Sequence, residues 1–356
     1  MSTPDWIPYA ESAGPDWDAF VDAHPHGRFI HLSGFKKAVE EVYRLRANYW
    51  LVREEGEIRA VFPSFFHRAC LTGRKLISQP FSEYGGVLFA PDAEPSERRA
   101  VLSGLPLVFE RSRKAERPAY LEIRGFPDLG EGETEFFQKI RLHERAVLRL
   151  DPSLRLQNIV AYSVRKNVRK ALASGLELRL LKTPADIRGI LYPLHLRSLK
   201  RLGSPPHPAA YFLALRRNLG DRMRISTAWL GGRPVAALVG WVVGRSVQIT
   251  DIASDERFFS YRAADLLHYD LIDWAIGQGF RLFDFGPVRY EGQRRYKMKW
   301  GAELHPYFHY CLPARTGRGP LSDRTLPVRA ARSLWRFVPS RLAAKIGRRL
   351  RRELAI

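Results

Sequence analysis

The sequence predicts an α+β protein in which one plan of helices and strands is laid down twice. Three observations predict it. Apolar residues recur at helical spacing in some stretches and alternate or run on in others. The chain breaks at Asp151-Pro152, and a similar order of elements then begins again. No residue-level repeat joins the halves, so the duplication is one of architecture. Beyond Arg315 the composition changes to a basic tail.

Residues 1–25 are an entry segment with a short helix near Asp16–Ala23. Ser33 suits an N-cap, and Phe35, Val39 and Val42 share one face of a helix over Ser33–Tyr43. Asn48–Arg53 and Ile58–Phe66 are strands joined by the turn Glu54-Glu55-Gly56-Glu57. Lys75–Pro80 and Val87–Phe89 are strands flanking Phe81–Gly86. The Gly85-Gly86 pair there admits close backbone approach to a ligand, or makes a bulge. A helix over Ser96–Ala115 and strands over Tyr120–Arg124 and Arg145–Leu150 complete the first half.

Asn158–Ser174 reads as a helix ended by Gly175. It sets Arg165, Lys166, Arg169 and Lys170 on one broad face and Ile159, Val164, Val168, Ala171 and Leu172 on the other. A strand over Glu177–Leu181 follows, then a helix from Thr183-Pro184 to Leu202 and another over Pro208–Leu219. Arg224–Leu230, Pro234–Val243 and Ser246–Ala253 are three strands turned at Gly231-Gly232 and Gly244-Arg245. Ala263–Gln278 is a long amphipathic helix. The stretch Arg281–Gly301 then runs from a buried strand, Leu282–Phe285, through Gly286-Pro287 to the basic–aromatic segment Tyr296–Trp300. A last strand covers Leu304–Leu312.

Composition narrows the function. Lys and Arg exceed Asp and Glu by 58 − 37 = +21, which points to a polyanionic neighbour: nucleic acid, anionic lipid or a phosphate-bearing substrate. An Arg-rich genome is the bland alternative. From Arg315 to Ile356 twelve cations face only Asp323 and Glu353, a net of +10. Cys70 and Cys311 are too few for a disulfide framework or zinc site, and the His residues show no metal spacing. No metal and no bound cofactor are expected. No secretion signal or membrane-spanning run is seen, so the expected setting is cytoplasmic, with a peripheral place on the inner membrane face as the alternative.

The order of elements is that of a doubled GNAT-type acyltransferase, and the residues resemble FemAB-like proteins. Phe283-Asp284-Phe285-Gly286, followed by Tyr296-Lys297-x-x-Trp300-Gly301, resembles their strand and FK-x-x-FG segment. The Arg165–Lys170 helix with Gly175 resembles their basic helix, and Phe29–His31, Tyr84-Gly85-Gly86 and Leu202–Pro206 resemble further motifs. The similarity covers residues 15–313 and is greatest to the branch associated with exopolysaccharide and exosortase systems. It implies two tandem GNAT-like (acyl-CoA N-acyltransferase) domains, over 1–152 and 153–314, with the cleft on the second or between the two, and a basic helical tail over 315–356. It also implies transfer of an aminoacyl group from aminoacyl-tRNA, or of an acyl group from acyl-CoA, to an amine of a peptidoglycan precursor or exopolysaccharide amino sugar. Pro287-Val288 and Ala264 depart from the family pattern, and the tRNA-binding helical hairpin of some members is missing.

Acyl transfer needs a neutral amine, a stabilised acyl oxygen and a managed leaving group. The resemblance makes Lys297 the candidate for the last two tasks, with Tyr296 beside the substrate and Asp284 orienting the amine or holding Lys297. A solvated lysine, a packed ring and a plain ion pair are the structural alternatives. Arg165, Lys166, Arg169, Lys170, Arg201, Arg294 and Lys299 are candidate phosphate or substrate contacts, with Tyr84 and Trp300 lining the cleft; ordinary surface charge is the alternative for the cations. Arg257–Ala264, at the place of the coenzyme A phosphate loop, has no glycine, which argues against simple acetyl-CoA use. In the tail, Leu334, Trp335, Val338, Leu342, Ile346 and Leu350 give a basic helix an apolar side suited to an anionic membrane. Docking on the protein body and binding tRNA are the alternatives. A non-catalytic module for tRNA or anionic lipid is the remaining reading of the whole chain.

Overall fold

A computed structural model describes residues 4–70, 73–125, 130, 134–153, 155–312 and 335–355. They fall into two compact units. The first comprises 4–143, 306–312 and 350–355, the second 144–305 and 335–349. Residues 315–334, the first part of the expected tail, lie outside the described residues, as does Leu334 of its apolar side.

In the first unit Trp6–Pro8, Trp50–Glu54, Glu57–Phe62 and Leu88–Phe89 form one antiparallel sheet in that order. Glu55 (φ 50°) and Gly56 (φ 87°) make the two-residue left-handed turn that matches strand twist. The strand expected to reach Phe66 stops at Phe62, because Pro63 has no N–H for a ladder; Phe65–Ala69 begins a new strand in another sheet. There it pairs with Gly73–Ile77, which runs parallel to Leu121–Arg124. The helix expected over Ser96–Ala115 is two, Pro95–Ser103 and Leu105–Glu116, parted at Gly104 with Pro106 in the second's first turn. Trp6, Phe62, Val101, Leu105, Leu121 and Tyr310 belong to the apolar core. Glu122 is fully buried, and Lys75 (2.6 Å) and Arg124 (3.2 Å) outweigh that burial and hold its carboxyl well below the usual range.

In the second unit we label α1 (Tyr162–Ala173), β1 (Glu177–Leu181), α2 (Tyr192–Arg201), α3 (Ala209–Leu219), β2 (Met223–Leu230), β3 (Arg233–Val243), β4 (Ser246–Ser254), α4 (Ala263–Gly277), β5 (Leu282–Val288) and α5 (Glu291–Met298); α6 (Ser340–Leu354) belongs to it as far as Arg349 and to the first unit from Leu350. The strands lie side by side in the order β1 to β5, and β5 then pairs with residues 144–149 of the strand Gln138–Arg149. All pairings are antiparallel except β4 with β5. Val164 and Val168 of α1 and Leu267 and Leu271 of α4 share a core with Val247 and Phe283. Thr183 caps the entry to α2 through the Asp186 N–H, and Asp186 returns the bond to the Thr183 N–H.

Two local expectations are corrected. The helix read from Asn158 begins at Tyr162, because Val160 and Ala161 are extended after a separate turn, Leu156–Ile159. Leu172 is 58% exposed: the buried stripe is Val164, Val168 and Ala171, and Leu172 lies one step round the helix from it. In the tail, α6 turns its small residues to the protein. Ala343 and Gly347 are buried, and a Cβ on Gly347 would lie 2.8 Å from the Pro206 ring. In the first unit the Phe81 N–H donates to the Ala355 carbonyl and the Cys70 N–H to Glu353. Of the expected apolar side Trp335 is buried, Val338, Ile346 and Leu350 are half-buried, and Leu342 is 46% exposed. No helix among the described residues is long and apolar enough to cross a membrane.

Burial pulls four histidines of the first unit below the ordinary 6.5, His31 to about 3 and His24, His67 and His309 to about 4. The unfolded chain therefore takes up these protons first as pH falls below 6.5. The stability they lend is full above that pH and is lost on the way to about pH 4. Thermal melts should show Tm falling by about 10 °C or more between pH 7 and pH 4.5. A level Tm would mean that the rings protonate without opening the fold.

Candidate active site

The site follows from a strand pair that meets and then separates. β4 and β5 run parallel but pair only at Ser246↔Leu282, Val247↔Phe283 and Gln248↔Asp284. Past that point β4 carries a bulge: Val239 pairs with Asp251 and Gly240 with Ile249, which leaves Thr250 as the extra residue. β5 breaks register against residues 144–149 between Asp284 and Pro287. Gly286, at φ 75°, is the residue that lets it do so. The result is an opening between β4 and β5, one wall of which is backbone released from the ladder.

Two buried charged groups fix the turn that makes the opening. Asp284, fully buried, accepts the Gly286 N–H at 2.8 Å and faces Arg145 at 3.6 Å. Lys297 donates to the carbonyls of Phe285 (2.7 Å), Gly286 (3.1 Å) and Pro287 (2.7 Å). An ammonium has three donors, so all are engaged by the turn. Burial pulls Lys297 down to about 8, with the charge of Asp284 opposing. Two of the three expected catalytic residues, Asp284 and Lys297, therefore come together as the two clamps of one turn.

Tyr296, the residue before Lys297 in α5, is half-buried. Its hydroxyl lies 3.1 Å from His268 Nδ1, and the carboxylate of Asp265, which accepts from Asn167 at 3.3 Å, stands nearby. His268 Nδ1 is 2.7 Å from the Ala264 carbonyl, which only accepts, so it carries the ring proton. Burial lowers His268 to about 4, and burial with the nearby Asp265 pushes the Tyr296 phenol well above its ordinary value. Tyr296 is thus a phenol held in its protonated form. Trp300 is fully buried, with its ring 5.6 Å from that of His268, and serves as the floor of this cluster.

A second group stands on the bulge of β4. Asp251 lies 3.1 Å from Nδ1 of His195, a buried residue of α2. The His207 N–H donates to His195 Nε2 at 3.2 Å, so the ring proton is on Nδ1 and points at the carboxylate. Asp251, Asp265, His268 and His195 were not singled out in the sequence. Asp251 left one signal, an acid interrupting the apolar pattern Val247–Ala253; the others look like ordinary helix residues.

The expected cations are divided. Arg165, Lys166, Arg169 and Lys170 do share one side of α1, but Arg165 spends its guanidinium on the carbonyls of Gln157 and Val160, both at 2.9 Å. Lys166, Arg169 and Lys170 are exposed. Lys299 is exposed, and its carbonyl takes the Ala161 N–H, which joins the start of α1 to the end of α5. Arg294 pairs with Glu144 at 2.6 Å. Arg201 lies over the Phe259 ring at 5.0 Å and 3.8 Å from Glu256. Tyr84 is buried in the first unit against the Tyr307 ring, 5.5 Å away.

Residues 160–298, from the start of α1 to the end of α5, match the family model described as an acetyltransferase (GNAT) domain. The second unit is a GNAT acyltransferase domain. Among solved structures, FemX is similar over 86% of this chain and 96% of its own, at 14% identity and TM-score 0.64. L-PGS from Bacillus licheniformis is similar over 96% and 98%, at 14% and 0.55. The tandem GNAT protein from the clavulanic acid biosynthesis pathway is similar over 88% and 99%, at 12% and 0.52. At such identities the likeness is one of fold, and it extends the GNAT plan of the second unit to a tandem arrangement. No curated protein matched the chain.

Replacing Lys297 by Met would strand three carbonyls of the GNAT domain's turn without a donor. We expect a loss of about 2–4 kcal/mol in stability and a parallel loss of activity, read by denaturant melts beside turnover. Full stability with abolished turnover would instead make Lys297 a participant in the chemistry.

Proposed function

We propose that this acyltransferase moves an aminoacyl or acyl group from an activated ester to an amine of a cell-envelope acceptor, either a peptidoglycan precursor or an exopolysaccharide amino sugar. The observation that carries the reading is the parted β4–β5 pair with Asp251 held on its bulge by His195. An acyl group laid in the opening meets unpaired backbone along β4. Asp251 takes the proton that the amine sheds as its nitrogen bonds the acyl carbon. The acyl–oxygen or acyl–sulfur bond then breaks, and the Tyr296 hydroxyl is the proton source for the departing group. Tyr296 is re-supplied through Asp265 or solvent.

The choice of donor turns on α4. Its first turn carries Asp265, 7% exposed, and the loop before it has no glycine. A carboxylate at a helix N-terminus competes for the position a coenzyme A pyrophosphate would take. The exposed cations of α1 suit a polyanion, so we favour aminoacyl-tRNA, in line with the FemAB-like resemblance. The match to an acetyltransferase domain favours a second reading, acyl-CoA as donor to an amino sugar. The envelope acceptor rests on that same resemblance and on the fold shared with FemX.

Incubation of the full chain with labelled aminoacyl-tRNA and, separately, labelled acetyl-CoA should give transfer to the amine of a lipid-linked peptidoglycan precursor or amino sugar from the first donor. Transfer from acetyl-CoA alone would select the second reading. Asp251→Asn should cut kcat about 10²–10⁴-fold and flatten the acid limb of the pH–rate profile. A variant with unchanged kcat would remove Asp251 from the mechanism.

A further inference from the structure

The exposed side of α6 carries a pattern that acyl transfer does not use. Residues 335–349 hold Arg336, Arg341, Lys345, Arg348 and Arg349 and no acid. Arg341, Lys345 and Arg348 fall at i, i+4 and i+7, one stripe of a helix. Arg349 and Leu342, seven apart, form the adjacent stripe. All five cations are exposed, while Ala343 and Gly347 face inward against the protein. None of these cations makes an ion pair among the described residues, unlike Arg197 and Arg257, which share Asp255, or Arg294 on Glu144. Two apolar side chains are also exposed: Leu342 on the helix, at 46%, and Phe337, next to Arg336 in the turn just before α6, at 83%.

We propose that this side of α6 is a docking surface for an anionic lipid bilayer. A row of cations without acids is complementary to a negatively charged leaflet. The projecting Phe337 is the feature that separates this partner from a merely charged one: an aromatic ring beside basic residues settles at headgroup depth, where it leaves water without breaking the fold. The mode differs from that of a free amphipathic helix. The side toward the body is already filled, so the helix stays docked and meets the membrane by charge and by two apolar anchors. The surface would bring the GNAT domain to lipid-linked acceptors, but it does not depend on which acyl donor is used.

The test is flotation of the full chain with vesicles of phosphatidylcholine alone and with about one-third phosphatidylglycerol, at about 0.1 M salt, where charges beyond about 10 Å are screened. Binding to the anionic vesicles only is expected. Arg348→Gln with Arg349→Gln should lower that partitioning about 30-fold, about fivefold for each cation. Phe337→Ser should lower it further at every salt concentration. Both sites are exposed, so melts should be unchanged. Equal binding to neutral vesicles, or a double variant that partitions like the parent, would overturn the proposal. A double variant that keeps vesicle binding but loses affinity for a tRNA transcript would assign the surface to RNA instead. Catalysis enters none of these readouts, so failure here is distinct from failure of the acyl-transfer reading.

Discussion

The turn at Asp284–Pro287 is the constraint on which the GNAT domain's site depends. β5 must pair with β4 on one side and with residues 144–149 on the other, yet leave β4 within three residues. Leaving the ladder strands backbone groups in a buried place, and each must find a partner. Asp284 takes the one N–H, and Lys297 takes three carbonyls. The pair is therefore more than an ion pair of convenience. It substitutes side chains for the strand that is missing, and it does so with groups whose burial would be costly if either were left alone.

The same logic sorts the domain's positive charge. Some cations are answered locally whatever their exposure: Asp255 is drawn down to about 2 by Arg257 and Arg197 against its own burial, and Arg294 is held by Glu144. These pairs fix loops and leave little field outside. Among the described residues the exposed cations of α6 before Leu350, and Lys166, Arg169 and Lys170 of α1, have no ion pair, so their charge faces solvent. Composition alone announces a polyanionic neighbour. Only the placement says which cations are available to meet one.

Much of the fold was legible because periodicity and turn chemistry are local. The three strands from Met223 to Ser254, the helix at Ala263 and the Gly-containing hairpin at Glu55-Gly56 follow from patterns a few residues long. Breaks were harder. Pro63 and Gly104 each interrupt a run that looks continuous, and Ala161 is extended for reasons outside its own sequence, since its N–H is claimed by Lys299. The site was legible in part. Tyr296, Lys297 and Asp284 lie within fourteen positions of one another and were read together. Asp251 and His195 are far apart in sequence, and nothing short-range says that a helix histidine will face a strand carboxylate. The roles of Lys297 and Trp300 also depend on burial, which no motif reports.

The placement of Asp265 has a consequence for the whole cleft. Burial raises its affinity for a proton, while Arg262 and the bonds from Asn167 and Tyr296 favour the charged form. A carboxylate balanced in this way ties three elements together: α4 through its own backbone, α1 through Asn167 and α5 through Tyr296. It also orients the phenol. Were the carboxylate absent, the Tyr296 hydroxyl would have only the protonated Nδ1 of His268 for a neighbour, a donor facing a donor, and its proton would need another acceptor. The acid is the nearby acceptor for the hydroxyl, and it stands in the first turn of α4. One residue thus joins the surroundings of Tyr296 to the start of α4, which in the proposed reading links the choice of donor to the chemistry of the leaving group.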